Sequence, residues 1–228
     1  MSPSSSFRTR ESGFWEVMIE SFPRGLPPPE PLVLYFRWLE SVGADRVQRD
    51  TRFALIDPDQ SDFSMFVETV DPAFTSAWIG EEDPLLRERL AAFVRTGGDG
   101  SYAAMWRDDA GEIKFVHLGS GSGSTLLCTL TDDPVDFLRL LAIGYDELCW
   151  PESFQKTPEE VHASHVTDDG QCPTYASRHR MRAWVEATFG VTVPKTASEI
   201  VKNIADMDQD ASDDPFWRWI RLLPCRDR

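Results

Sequence analysis

Long apolar runs are missing. A membrane-spanning helix needs roughly 20 consecutive apolar residues, and even the stretch from Leu32 to Leu39 is broken by Arg37. The first ten residues are Ser-rich with Arg8 and Arg10 and hold no apolar core for a secretory signal. The four cysteines, Cys128, Cys149, Cys172 and Cys225, include no CxxC pair, which argues against a disulfide framework or a zinc knuckle and for reduced thiols. The expectation is a cytoplasmic protein without a membrane span, with residues 1–12 frayed. There is no GxSxG elbow, no HExxH pair, no internal repeat and no regular strand–helix alternation of the nucleotide-binding kind. No enzyme class and no cofactor are therefore expected.

Basic residues are scarce: 23 Lys and Arg against 38 Asp and Glu, a net charge of −15. The excess is regional. Residues 56–170 hold 7 basic and 23 acidic groups, whereas residues 1–55 are balanced and residues 171–228 carry 9 and 8. A field of this sign repels nucleic acid and anionic membranes and speeds encounter with a basic protein. The plainer reading is that acidity only keeps the chain in solution. What is plentiful is aromatic mass, with eight Trp and fourteen Phe, enough to build a core and to exclude disorder.

Helical spacing predicts helices at residues 14–21, around Leu32, Tyr35, Phe36 and Leu39, from Asp83-Pro84 through Leu86, Leu90, Phe93 and Val94, and from Asp133-Pro134 to near Leu148. Residues 53–56, 63–70, 73–79, 101–107, 112–118 and 125–130 read as strands. Beyond residue 150 the chain turns irregular. A short helix can open at Thr157-Pro158, and three more segments follow: one around Met181, Trp184 and Val185, one after the Thr196 to Glu199 capping box with Ile200, Val201 and Ile204 buried, and one from Asp214-Pro215. The fold class is α+β, a largely antiparallel sheet of five to six short strands flanked by helices. Residues 13–149 form its core and residues 150–228 a mainly helical extension packed on it.

Two glycine clusters invite a phosphate-loop reading, and neither carries the lysine that such loops use. Thr96-Gly-Gly-Asp99-Gly-Ser101 reads as a helix-to-strand turn, and Gly119-Ser-Gly-Ser-Gly-Ser124 as a mobile hairpin loop. His162, His165, Cys172 and His179 are the residues nearest to a metal-ligand set, and a metal-dependent hydrolase built on them is the enzymatic alternative. Their spacing supplies no general base, so surface histidines are the simpler account. Trp150, beside Pro151 in an irregular stretch, is the tryptophan expected to be most exposed and able to anchor an interface.

The segment from Asp83 to Leu148 resembles the SUKH superfamily, the Syd/Smi/Knr-like group that includes bacterial immunity proteins. The likeness lies in an apolar helix (Leu86, Leu90, Phe93), the turn and apolar strand from Thr96 to Trp106, a second strand (Ile113, Phe115, Val116) and a helix opening Asp133-Pro-Val-Asp-Phe-Leu138. Asp214-Pro-Phe-Trp-Arg-Trp-Ile220 is similar to endings of such proteins. The resemblance implies an α+β fold and, commonly, neutralisation of a cognate toxin without catalysis. The partner expected is then a protein toxin, for instance a basic nuclease, with the chain itself a monomer or weak homodimer. A regulatory or scaffold protein of the same fold is the alternative. Candidate contact residues, chosen because turns and helix starts expose carboxylates, are Glu81, Glu82, Asp83, Asp108, Asp109, Asp132 and Asp133, together with Trp150.

Overall fold

Seven strands pair in chain order, every neighbouring pair antiparallel. They are β1 (Asp45–Gln48), β2 (Thr51–Leu55), β3 (Phe66–Glu68), β4 (Leu90–Arg95), β5 (Tyr102–Arg107), β6 (Ile113–Leu118) and β7 (Leu127–Thr131). The computed structural model describes residues 12–48, 51–60, 64–80, 83–164 and 178–223. Helices α1 (Phe14–Ser21) and α2 (Glu30–Ser41) precede the sheet. α3 (Pro72–Ile79) and α4 (Pro84–Arg87) lie between β3 and β4, and α5 (Pro134–Ala142), α6 (Pro158–Ala163), α7 (His179–Phe189) and α8 (Pro215–Arg221) follow it. This is an α+β fold, with one strand more than the upper expectation because β1 pairs with β2.

Alternation along β5 divides the core. Met105 faces α1, α2 and α5, where Phe93 meets Phe36 edge-on at 6.3 Å and Phe137 stacks on Phe115 at 4.4 Å. Tyr102 and Trp106 face the other way: Tyr102 packs on Phe74 of α3, and Trp106 lies 5.2 Å from Phe216 and 5.4 Å from Trp219 of α8. The sheet is covered on both sides.

That cover explains the first of two corrections to the sequence reading. Leu90 and Phe93 were expected on a helix; α4 is a single turn, and Leu90–Arg95 is strand β4 with Leu90 through Val94 all buried. A strand buried on both faces is apolar at every position, so any period can be read from it. The helix preceding Thr96 in the SUKH-like pattern is thus a strand here. Conversely, residues 73–79 were expected as a strand, since Phe, Thr, Trp and Ile favour one. They form α3, because Pro72 stands at its first turn, the Asp71 carboxylate accepts from Ala73 N, and Gly80 closes it at φ +70°.

The extension follows expectation in part. Phe216, Trp219 and Ile220 on α8 and Met181 and Val185 on α7 are buried. The helix expected after Thr196 is only one 3₁₀ turn, Ala197–Glu199. After Val201 the backbone is drawn instead to the edge of β7, where Leu127 N donates to Ala205 O and Met207 N to Thr125 O, and Ile204 is left exposed. α5 also ends earlier than expected, at Ala142, with Gly144 at φ +109° turning the chain.

Buried carboxylates fasten this extension. Asp57 accepts from Met181 N at 2.7 Å in the first turn of α7. Asp214 caps α8 through Trp217 N at 2.9 Å and accepts from Thr129 N of β7 at 2.8 Å. Asp214→Ala leaves both amides without an acceptor and is expected to cost about 2–4 kcal/mol in urea denaturation, whereas Asp213→Ala, at an exposed position beside it, should change stability by less than about 0.5 kcal/mol. Equal effects of the two substitutions would refute this account of how the extension is held.

Candidate functional site

Successive turns of a chain-ordered antiparallel sheet fall at opposite ends, and this sorts the candidate residues into two groups. One end carries α4, the β5–β6 turn and the β7–α5 junction: Leu90 pairs with Trp106, Arg107 with Ile113, and Phe115 with Thr131. Asp83, Asp108, Asp109, Asp132 and Asp133 all sit here. Trp150 belongs to the opposite end, because Leu148 N donates to Thr96 O. Glu81 and Glu82 lie outside the described residues.

At the α4 end most of these carboxylates already hold backbone amides. Asp83 accepts from Leu85 N at 2.8 Å, and Asp133 from Val135 N at 2.6 Å and Asp136 N at 3.3 Å. Asp108 Oδ1 accepts from Ala110 N and Glu112 N, both at 2.9 Å, while Oδ2 lies 3.5 Å from Lys114 Nζ. Asp109 pairs with Arg89 at 2.7 Å and is itself exposed, as is Asp132. The Arg89 guanidinium also sits 5.2 Å above the Trp219 ring. Amid these charges Leu85 is 75% exposed. It borders a shallow hollow of about 610 Å³ with Glu88, Arg89, Arg107, Asp108 and Asp109. The negative field here is interleaved with arginines, and an apolar side chain protrudes from it.

At the opposite end the two glycine clusters, separate in sequence, are joined by one carboxylate. Asp99 Oδ1 accepts from Ser101 N at 3.0 Å, and Oδ2 from Ser101 Oγ at 2.7 Å, Ser120 Oγ at 2.8 Å and Ser124 N at 2.8 Å. The Gly–Ser segment expected to be a mobile loop is therefore bonded in place, and the Thr96–Ser101 turn links two strands rather than a helix and a strand. The glycines allow the approach: a Cβ on Gly123 would lie 2.7 Å from Asp99 Cβ, and one on Gly97 2.5 Å from Cys149 Sγ. Burial raises the Asp99 carboxyl, but the bonds from Ser124, Ser101 and Ser120 outweigh it and hold the group at about 2.

Trp150 is half-buried: its indole N–H donates to Glu147 Oε2 at 2.5 Å, while Glu147 Oε1 accepts from Gly98 N at 2.7 Å. Beside it, Asp146, Glu147, Glu152 and Lys156 line a hollow of about 410 Å³.

His117 was not singled out from the sequence, since one His within an apolar strand carries no signal. It is fully buried, with Nδ1 2.9 Å from Leu126 O and Nε2 2.9 Å from Thr96 Oγ1. A carbonyl only accepts, so Nδ1 bears the proton and Nε2 accepts from the Thr96 hydroxyl. Burial pushes the imidazole down to about 4, against the opposing pull of the Leu126 carbonyl and Asp99. With both partners sealed from solvent, this pair ties the β4–β5 turn to β6 and β7 and has no access to a substrate.

The residues of the enzymatic alternative, His162, His165, Cys172 and His179, are not gathered into a metal set among the described residues. His162 bonds to Asp146 at 2.9 Å, whereas His179 lines a different hollow with Arg178, Arg182 and Lys195, whose charges oppose a metal cation. His165 and Cys172 lie outside the described residues, and no three potential ligands cluster among those described.

These shifts fix two pH windows. The His117 pKa is lower in the folded chain than its ordinary 6.5, so the unfolded chain binds the proton first and stability falls as pH drops from about 6.5 towards about 4. His117→Gln should flatten that slope in chemical denaturation series, and an unchanged slope would contradict the assignment. The Asp99 contribution is complete above its ordinary 3.8 and disappears as pH falls towards about 2. Asp99→Ala should lower Tm at pH 7 by roughly 2–6 °C, with the deficit shrinking in acid.

Comparison of the chain with protein-family models, with curated proteins and with solved structures returns no match, so the roles of these groups rest on their geometry.

Proposed function

We propose that this chain is a cytoplasmic immunity protein that binds a cognate toxin and blocks its active cleft through the α4 end of the sheet. One observation carries the reading. Strand pairing brings Asp83, Asp108, Asp109, Asp132 and Asp133 to one end of the sheet, where the exposed Leu85 borders a hollow with Asp108 and Asp109. Carboxylates raise the encounter rate with a basic surface, such as the substrate groove of a nuclease, and an apolar side chain entering a pocket on the partner supplies affinity. The resemblance of residues 83–148 to the SUKH superfamily supports the same reading through the order of the turn, the two later strands and the closing helix. The residues divide by role. Asp109 and Asp132 are the carboxylates suited to steering, since Asp83, Asp108 and Asp133 also hold the backbone of their own turns.

The test begins with capture of the partner from the source organism on immobilised chain, followed by expression of the captured protein alone and together with this chain. Growth arrest that this chain relieves is the expected result; a captured partner with no toxicity overturns the reading. With that partner in hand, Asp109→Lys combined with Asp132→Lys should slow association several-fold at low salt and leave dissociation nearly unchanged. Leu85→Asp should weaken Kd by at least about tenfold. Variants that bind like the parent chain would place the interface elsewhere.

A further inference from the structure

The two edges of the sheet are finished differently. Along β7 the outward backbone groups are taken: Leu127 N donates to Ala205 O at 2.9 Å, Met207 N to Thr125 O at 2.8 Å, and Thr129 N to Asp214 Oδ2 at 2.8 Å. β1, at the other edge, pairs with β2 alone. Leu55 N donates to Ala44 O at 3.2 Å, and along an antiparallel strand the backbone groups of successive residues point to alternate sides. Arg46 and Gln48 therefore bond towards β2, whereas Asp45 and Val47 direct their N–H and C=O groups outwards. The Asp45 carbonyl is covered by Arg46 Nη1 at 2.8 Å. Val47 makes no backbone hydrogen bond outside the β1–β2 pair among the described residues, and its side chain is 70% exposed. Such a row of unpaired groups is a template for another strand.

Charge narrows what can cover this edge. The acid excess lies in residues 56–170, while residues 1–55 are balanced at 7 basic and 7 acidic groups, so two copies repel least where their β1 strands meet. Asp45 is paired with Arg52 at 3.4 Å, and Arg52 stands directly opposite Val47, which leaves the face carrying Val47 without net charge. Asp108 and Asp109, in the β5–β6 turn, stand at least four strand spacings away, roughly 19 Å, well beyond the screening length of about 8 Å at physiological salt.

We propose that the β1 edges of two copies pair antiparallel about a twofold axis, making a weak homodimer with one continuous sheet. Two registers match outward groups with outward groups inside β1. One sets Asp45 opposite Val47 and thereby Arg46 opposite Arg46 of the other copy, a direct opposition of like charges. The other sets Val47 opposite Val47 and Arg46 opposite Gln48, whose amide oxygen accepts from a guanidinium, and it is the register the charges select. Each Val47 then gives and takes one backbone hydrogen bond and covers its exposed side chain with its counterpart. Four residues from each copy bury less than the roughly 1,200 Å² of a stable interface, which places Kd on the order of 100 μM. The pairing leaves the α4 end open and does not depend on the toxin-binding reading.

Sedimentation equilibrium of the full chain between about 10 μM and about 1 mM, at physiological salt, reads the association. The average mass is expected to rise from that of one chain towards that of two. Val47→Lys and Val47→Glu each place like charges opposite one another at the axis and should abolish the rise. An equimolar mixture of the two variants should restore it, because Lys then stands opposite Glu. Leu222→Lys adds the same charge at another exposed apolar position and should associate like the parent chain, with far-ultraviolet circular dichroism confirming that each variant is folded. A mass that stays at one chain throughout overturns the proposal, and so does a mixture that fails to associate or an equal loss in Leu222→Lys and Val47→Lys. Ser12 O accepts from Arg52 Nη1 at 2.6 Å, so the residues before it start close to β1; dimers that form only after deletion of residues 2–11 would assign the edge to that segment and overturn the proposal as well.

Discussion

Nearest-neighbour antiparallel pairing is the constraint from which the arrangement follows. When seven strands hydrogen-bond in chain order, each connection must emerge at the end opposite to the one before it. Residues about 50 positions apart in sequence, such as Asp83 and Asp133, are then brought to the same end, while Trp150 and both glycine clusters go to the other. The backbone hydrogen bonds thus decide which side chains can act together.

The acidity of the central segment has a double origin. Part of it is structural: Asp57, Asp71, Asp83, Asp99, Asp108 and Asp133 each accept backbone N–H groups at a turn or helix start. Such a carboxylate still contributes to the field, but its lone pairs are committed. The rest, represented by Asp109 and Asp132, stands in solvent, with Asp109 paired to Arg89. A composition of 7 basic and 23 acidic groups between residues 56 and 170 does not distinguish these two uses.

Where local chemistry is decisive, it was legible in the sequence. The Asp-Pro pairs at 83–84, 133–134 and 214–215 and Thr157-Pro158 open helices because acceptor and ring act within one turn. The β5–β6 hairpin stands where residues 101–107 and 112–118 read as strands, with turn-forming residues between them. β4 was misread because the deciding fact is distant, and α3 because its β-favouring side chains mask caps that lie within one turn. β4 is covered on both faces by helices from other parts of the chain, and α3 obeys its caps over its β-favouring side chains. The Asp99 cluster was half legible, with its glycines and serines visible and their shared carboxylate bond invisible.

The sequence by itself determined the fold class, the helix starts, the aromatic mass for a core and the concentration of charge, since each depends on composition or on neighbours a few residues apart. Tertiary structure alone decided which carboxylates are spent on amides, which stand beside Leu85, and that the sheet is closed along β7 and left open along β1. The physical reason is range: capping acts over about one turn, whereas a site is assembled by strand register and helix packing between residues tens of positions apart.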